Sequence, residues 1–303
     1  MRLRHWRAKA YAQRLFSALP AGHRINYLFQ RATHGLPIPD KDLDEAMGAA
    51  RTHVASLERF GAVPVGEAHL FEFGAGWDLH LPLAMVALGV AHQTIVDIQS
   101  LLRPELVADA ATRLGGRRAE RWQPALPPTE AERVDLLGWL AGIGIDYRAP
   151  CDARDTGFPA ASVDVATSTN TLEHIPPEEI RAILLELRRI LRADGIASFS
   201  IDYQDHFSYF DRTISVYNYL RFTEREWRRY NSSLHFQNRL RHHQYLGLFD
   251  ETGFDLIDEQ VLGPSEEDLR VLATVPTVER FASMTREQLA VRRARVVLRP
   301  RPA

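Results

Sequence analysis

Two short stretches carry residues suited to holding a nucleoside. The run His69-Leu-Phe-Glu-Phe73 ends in Gly74-Ala-Gly76, and the next apolar run, Gln93-Thr-Ile-Val, ends on Asp97. Glycines at the carboxyl end of a strand let backbone N–H groups approach a ligand without side-chain obstruction, although such pairs also serve simply to turn the chain. An ionised carboxylate offers acceptors only, so Asp97 can take both hydroxyls of a ribose; the plainer alternative is a cap on the helix that follows. A dinucleotide fingerprint needs a third small residue, and counting G-x-G-x-x-G from Gly74 reaches Leu79. Glu72 would also repel a pyrophosphate while suiting a ligand that carries an amino group.

A second concentration of chemistry lies at 202–245. Asp202-Tyr-Gln-Asp-His-Phe-Ser-Tyr-Phe-Asp211 follows an apolar run directly, and Asp202, Asp205 and His206 are the candidates for a general base there. Downstream aromatic residues interleave with arginines and histidines. Tyr203, Tyr209, Arg212, Tyr217, Arg239 and His242 are the candidate acceptor contacts, since aromatic faces stack on sugar or planar rings and arginine pairs with phosphate or carboxylate. The same composition describes an inserted helical cap whose aromatics are mostly core. His242-His243 and Asp202/Asp205 could hold a metal in principle, but no i, i+4 histidine pair or H-E-x-x-H pattern supports one, and no metal is expected.

These residues need elements to position them. From residue 68 strands and helices alternate: strands at 69–73, 93–97, 145–148, 163–168 and 196–201, with helices at 79–89, around 130–140 and at 177–191. Gly195 can end the last of these, whose apolar face is Ile180, Ile183, Leu184, Leu187, Ile190 and Leu191. A helix at 245–252, a strand at 254–261 and a last strand at 294–298, of open orientation, complete the pattern. Strand–helix alternation predicts an α/β fold with a largely parallel, doubly wound sheet. Residues 1–65 read as a helical N-terminal extension. The stripe Leu43, Ala46, Met47, Ala50, Val54 and Leu57 must pack on the sheet, over the site or on a partner chain, so a homodimer is one of the arrangements it allows.

The order of these motifs resembles that of class I methyltransferases, in particular those encoded with polysaccharide genes. Leu70 to Gly76 is similar to their first motif and Ile95-Val-Asp97 to their ribose-binding strand end. Cys151 to Pro159, followed by Ser162 to Ser168, is similar to their adenine loop and fourth strand; Thr171-Leu-Glu-His-Ile175 and Ile190 to Gly195 match the segment that closes over the cofactor. The resemblance covers roughly 66–202. It implies a Rossmann-like, mostly parallel seven-stranded sheet, with a catalytic domain at 66–303 and an acceptor-side insertion at 203–245.

It further implies S-adenosylmethionine as cofactor. Glu72, Gly74, Ala75 and Gly76 would cradle its methionyl part, Asp97 its ribose with Ile98 beside the adenine, and Asp152 with Ala153 the adenine amino group. Asn170 and His174 would lie near the sulfonium. Asp78 stands where the family often has a third glycine, and the long stretch before the third strand is a second departure. The expected reaction is methyl transfer to a small-molecule or glycan acceptor, a sugar hydroxyl. An NAD-type oxidoreductase, disfavoured by Leu79, and an inactive methyltransferase-fold binding protein are the alternatives.

Composition sets outer bounds. The 303 residues are 45% hydrophobic and 25% charged, as in ordinary globular proteins, and suffice for one large α/β domain with additions. A net charge of −2 argues against a dedicated nucleic-acid binder, and Lys9 and Lys41 are the only lysines. The single cysteine, Cys151, excludes an internal disulfide. The basic start at Met1 to Lys9 is followed by no apolar signal region, and the run Leu81 to Ala91 is too short for a bilayer, so no membrane association and a cytoplasmic location are expected.

Overall fold

The computed structural model describes residues 5–19, 22–32, 35–116 and 135–302. Residues 130–134 of the helix expected around 130–140, and Met1 to Arg4 of the basic start, lie outside them. Three helices open the chain: α1 (Trp6–Ser17), α2 (Gly22–Ala32) and α3 (Asp40–Phe60). Then follow β1 (His69–Phe73), α4 (His80–Ala87), β2 (His92–Val96), α5 (Pro104–Gly116), α6 (Leu136–Gly142), β3 (Ile145–Arg148) and β4 (Val163–Thr169). After these come α7 (Pro177–Ile190), β5 (Leu191–Asp202), α8 (Phe207–Phe210), α9 (Glu224–Trp227), α10 (His242–Glu251), β6 (Phe254–Leu262), α11 (Glu266–Ala273), α12 (Arg286–Ala290) and β7 (Arg293–Pro300).

The strands form one sheet in the order β3-β2-β1-β4-β5-β7-β6. β1 to β5 are parallel, and β7 runs antiparallel between β5 and β6. The strand order reverses between β1 and β4, where open α/β sheets bind ligands beyond the carboxyl ends of their strands. The expected mostly parallel seven-stranded sheet is what the chain forms.

Side-chain alternation explains why the parallel strands read as continuous apolar runs. Leu70 of β1 points into one core with Ile95, Val165 and Ile196, whereas Phe71 and Phe73 point into the other with Ala166, Phe199 and Ile201. Both faces of the central strands are covered, whereas the edge strands β3 and β6 keep exposed polar residues. Helix α7 packs Ile180, Leu184 and Leu187 on the second face, with Glu178 and Glu179 in its first turn and Arg188 and Arg189 in its last, each favourable to the helix dipole. It ends at Ile190 and passes straight into β5. Gly195 therefore lies within β5 and not at the helix end: β4 and β5 pair at Val163/Leu191 and resume at Val165/Ile196, and Gly195 occupies the intervening bulge.

The stripe on 43–57 packs on the sheet. Leu43, Ala50 and Leu57 are in the first core beside α4. His53 of α3 reaches further, bonding Ser198 Oγ of β5 through Nδ1 at 2.8 Å and Thr169 Oγ1 of β4 through Nε2 at 2.8 Å. Burial drives its pKa down to about 4, so it sits there as neutral imidazole.

A third core fills the region after β5. Trp6 of α1 packs against Phe207, Phe222 and Tyr230, and Tyr217, Tyr219 and Trp227 are buried with them. The N-terminal extension and the segment at 203–245 thus share one apolar cluster. Among the described residues no helix is long and apolar enough to cross a membrane.

Candidate cofactor and acceptor site

Three strand ends are laced together beneath the glycine turn. Gly74 N–H donates to Val96 O at 3.0 Å, Asp97 N–H to Arg148 O at 3.2 Å, and Cys151 N–H to Asp97 O at 2.8 Å. The Asp97 carboxylate accepts from Gly76 N–H at 3.2 Å and from Gln99 N–H at 2.9 Å, so the backbone of the glycine turn itself aims it. Ile98 beside it is 57% exposed, an apolar surface open to a flat ring.

The two glycines do different work. Gly74 has φ of +89°, and a Cβ there would lie 2.5 Å from Thr171 Cγ2, so the turn must be bare to pass under the β4 loop. Gly76 has φ of +68°, and a Cβ there would meet nothing within 4 Å. Its backbone borders open space beside Asp97, a cradle with no side chain in it. Ala75 between them is buried.

Asp78, where a third glycine was the family's usual choice, accepts from His80 backbone N–H at 3.3 Å and from its ring Nδ1 at 2.5 Å. With Leu79 in the left-handed region at φ 53°, it closes the turn into α4 by side-chain bonding. Glu72 is 3% exposed beneath this loop, accepts from Thr167 Oγ1 at 3.0 Å, and is pushed by burial up to about 7. Tyr27 of α2 stacks on Trp77 of the same loop at 5.1 Å, so the extension leans on this loop as well.

Further along the crevice, Asp152 accepts from Arg154, through its backbone N–H at 2.9 Å and its guanidinium at 2.6 Å, and that guanidinium holds the acid below its usual range. Ala153 is buried in the second core. Asn170 ends β4 in the left-handed region at φ 51°, exposed, with its N–H on Ser200 O at 2.8 Å. His174 follows on a 3-10 turn, Leu172–His174, and its Nδ1 bonds Phe236 O at 2.6 Å. Burial lowers its pKa.

At the end of β5 the three base candidates separate. Asp202 is buried and accepts from Gln204 N–H at 2.9 Å, from the Tyr209 hydroxyl and from Arg293 Nε at 3.1 Å. Asp205 is wholly buried; its carboxylate takes Asn218 Nδ2 at 2.9 Å and Phe207 N–H at 2.9 Å, and burial pushes it up to about 7. His206 has no hydrogen bond at Nε2, which lies 3.9 Å from Glu173 Oε1 and 4.0 Å from Asp202 Oδ2. Burial, then the neighbouring His174 and His235 rings, set its pKa well below the ordinary value. Glu173 is equally buried, and burial with the Asp202 charge raises its pKa well above the carboxylate range.

Of the expected acceptor contacts, Tyr209 and Arg212 are exposed, and the Tyr209 ring lies 5.4 Å from that of His206. The other four face inward. Tyr203 and His242 bond each other at 2.9 Å, His242 also bonding Glu259 at 2.7 Å. Tyr217 donates to Ala290 O at 2.8 Å, and Arg239 donates to Tyr219 O at 3.0 Å and Glu224 Oε1 at 2.5 Å. The structure uses these four to hold the inserted segment together, each through at least one internal hydrogen bond. Glu173, Trp77 and His53 were not among the expected site residues. Glu173 stands next to His174 in a matched motif, which was its one signal; nothing in the sequence marks the other two.

A methyltransferase-domain family model matches residues 131–199, the stretch from before β3 through most of β5. No curated protein matches the sequence. Among solved structures, the chain is similar to an S-adenosylmethionine-dependent methyltransferase of Leishmania major (12% identity, 97% of this chain and 83% of that one, TM-score 0.48). It is also similar to 1,6-didemethyltoxoflavin-N1-methyltransferase of Burkholderia thailandensis (16%, 94% and 92%, 0.45) and the YcgJ protein of Bacillus subtilis (15%, 84% and 100%, 0.45). The methyltransferase-domain match falls on a sheet of the expected strand order with a bare-backbone cradle at its switch point.

Proposed function

We propose that the protein methylates a hydroxyl of a small-molecule or glycan acceptor, a sugar hydroxyl being the preferred reading. Residues 66–303 form the catalytic domain in this reading, with 1–65 as an extension and 203–245 as the acceptor-side insertion. The observation that carries it is the group of Glu173, His174 and His206 past the ends of β4 and β5, Glu173 buried and the two histidines partly so, with the exposed Tyr209 against His206.

When bound, S-adenosylmethionine supplies a methyl carbon already activated by its sulfonium. Asp97 would hold the ribose, the Gly74–Gly76 backbone the amino-acid arm over Glu72, Ile98 the adenine face, and Asp152 with Ala153 the adenine edge, Arg154 moving aside from that carboxylate. Asn170 and His174 border the reacting end. The chain's main tasks are alignment of the acceptor oxygen with the methyl carbon and exclusion of water. An uncharged hydroxyl is a weak nucleophile, so a group must take its proton as the bond forms. His206 Nε2, held neutral by burial and lacking a protein donor, supports that role; Asp202 positions it through Tyr209 and Arg293, and Asp205 braces the turn that carries it.

The test is transfer of labelled methyl from S-adenosylmethionine to a panel of nucleotide sugars, oligosaccharides, phenols and amines, with the product's linkage determined by mass spectrometry and NMR. A methyl ether on a sugar or other hydroxyl is expected. Methylation confined to nitrogen or carbon acceptors overturns the acceptor reading.

A further inference from the structure

The group at the ends of β4 and β5 has an unusual feature for a protein interior. Glu173 is 3% exposed, yet among the described residues no side chain hydrogen-bonds its carboxyl oxygens; only the backbone N–H groups of Glu173 itself and Asp202 lie near them. His206 Nε2 is likewise buried and without a partner, and at 3.9 Å from Glu173 Oε1 it is too far for a hydrogen bond between them. A buried carboxyl bonded by no side chain, facing a bare imidazole nitrogen, is costly, and a third body between them would satisfy both. His174 is set up to join them. Its Nδ1 is engaged by the Phe236 carbonyl, which puts the proton on Nδ1 and turns the lone pair to Nε2. The rings of His174 and His206 stand 4.8 Å apart, and the ligand-capable atoms of Glu173, His174 and His206 all lie within 4.8 Å of one another.

We infer that Glu173, His174 and His206 form a binding site for one first-row divalent transition cation, with Zn²⁺ as the representative ion. Metal–ligand bonds of about 2.0–2.2 Å place two donors of one ion roughly 3–4 Å apart, so side-chain rotation of the order of an ångström closes the set. Two neutral imidazoles with one carboxylate suit such an ion better than Mg²⁺ or Ca²⁺, which favour oxygen ligands. The backbone carbonyl behind His174 is the outer-shell bond that ligating histidines usually carry. Asp202 stays outside the set, because Arg293 and Tyr209 already occupy its Oδ2.

Three protein ligands leave coordination positions open toward the acceptor side. Resting on the hydroxyl-acceptor reading, the ion would bind the acceptor oxygen and acidify its O–H bond, the proton leaving to solvent as the acceptor enters and before water is excluded. In that state His206 gives its lone pair to the ion in place of the proton.

The experiment measures metal binding alone, without cofactor or acceptor, so its failure leaves the acceptor reading standing and the reverse holds too. The full chain is stripped with chelator and titrated with Zn²⁺ by calorimetry and with Co²⁺ by visible absorption. One ion per chain is expected, with affinity falling at least about tenfold in Glu173→Gln and in His206→Asn, and unchanged in His92→Ala at an exposed histidine. Circular dichroism confirms that each variant is folded, and Glu173→Gln, which puts a neutral amide of the same shape where burial already favours the neutral acid, should keep the metal-free melting temperature. No saturable binding to the wild type, or binding unchanged in both Glu173→Gln and His206→Asn, overturns the inference.

Discussion

Gly76 and Asp97 touch: the backbone N–H of the one donates to the carboxylate of the other at 3.2 Å. Two sites that sequence spacing sets about twenty residues apart are therefore one surface, and the acid is aimed by the turn it serves. Asp97→Asn replaces a charged acceptor pair by one acceptor and one donor. A hydrogen bond to a charged group is worth about 1.5–3 kcal/mol, so affinity for S-adenosylhomocysteine should fall roughly tenfold to a hundredfold. Calorimetry on the folded variant checks it, and wild-type affinity would remove Asp97 from the ribose role.

Substituting alanine at the two glycines should separate folding from binding. Gly74→Ala places a Cβ against the Thr171 side chain at a positive φ, so it should lower the melting temperature by several degrees, and Thr171→Ala should recover part of the loss. Gly76→Ala carries the backbone penalty of about 1–2 kcal/mol but meets open space, so its larger effect should be on cofactor affinity. Thermal melts with and without S-adenosylhomocysteine distinguish the two. Equal ligand-induced shifts in both variants would contradict the assignment of that space to the cofactor.

Much of this site was legible because its chemistry lies in backbone and strand ends. Strands buried on both faces announce themselves as apolar runs, and their ends carry Gly74, Gly76 and Asp97 in fixed order. The acceptor side was less legible. Tyr217 and Arg239 have the same composition whether they face a substrate or bond Ala290 O and Glu224, and only the packing of Trp6 and Trp227 around them decides. The bulge holding Gly195 and the antiparallel insertion of β7 are settled by pairing partners distant in sequence. Glu173, 33 positions from His206, has no spacing signature because two strand ends, not one helix, bring them together.

His206 and Asp205 are neighbours in sequence with opposite surroundings, and their variants should fail differently. His206→Ala should keep wild-type affinity for S-adenosylhomocysteine to within a factor of a few and lose most turnover, about a hundredfold or more. Asp205→Ala removes acceptors from Asn218 and the Phe207 N–H in a dry interior, which should destabilise by about 1–3 kcal/mol. Asp205→Asn, preserving shape and one acceptor, should recover part of that. Urea unfolding and single-turnover methyl transfer read the two effects. A stable Asp205→Ala with lost turnover would move the proton-accepting role to Asp205.

The last prediction concerns pH and the anchor between α3 and the sheet. His53 titrates near 4 in the folded protein against 6.5 when unfolded, because burial disfavours its charged form. The folded-state value is depressed for a base, so the unfolded chain takes up a proton first as pH falls. The stabilisation is fully present above 6.5 and is lost progressively between 6.5 and about 4. His53→Gln can still bridge Ser198 and Thr169 but has no proton to gain. The stability advantage of wild type over this variant should shrink by about 2–3 kcal/mol between roughly pH 7.5 and pH 4.5, where both are compared by urea unfolding. Parallel stability curves over that range would mean that His53 is protonated in place, with α3 seated on β4 and β5 through a charged ring.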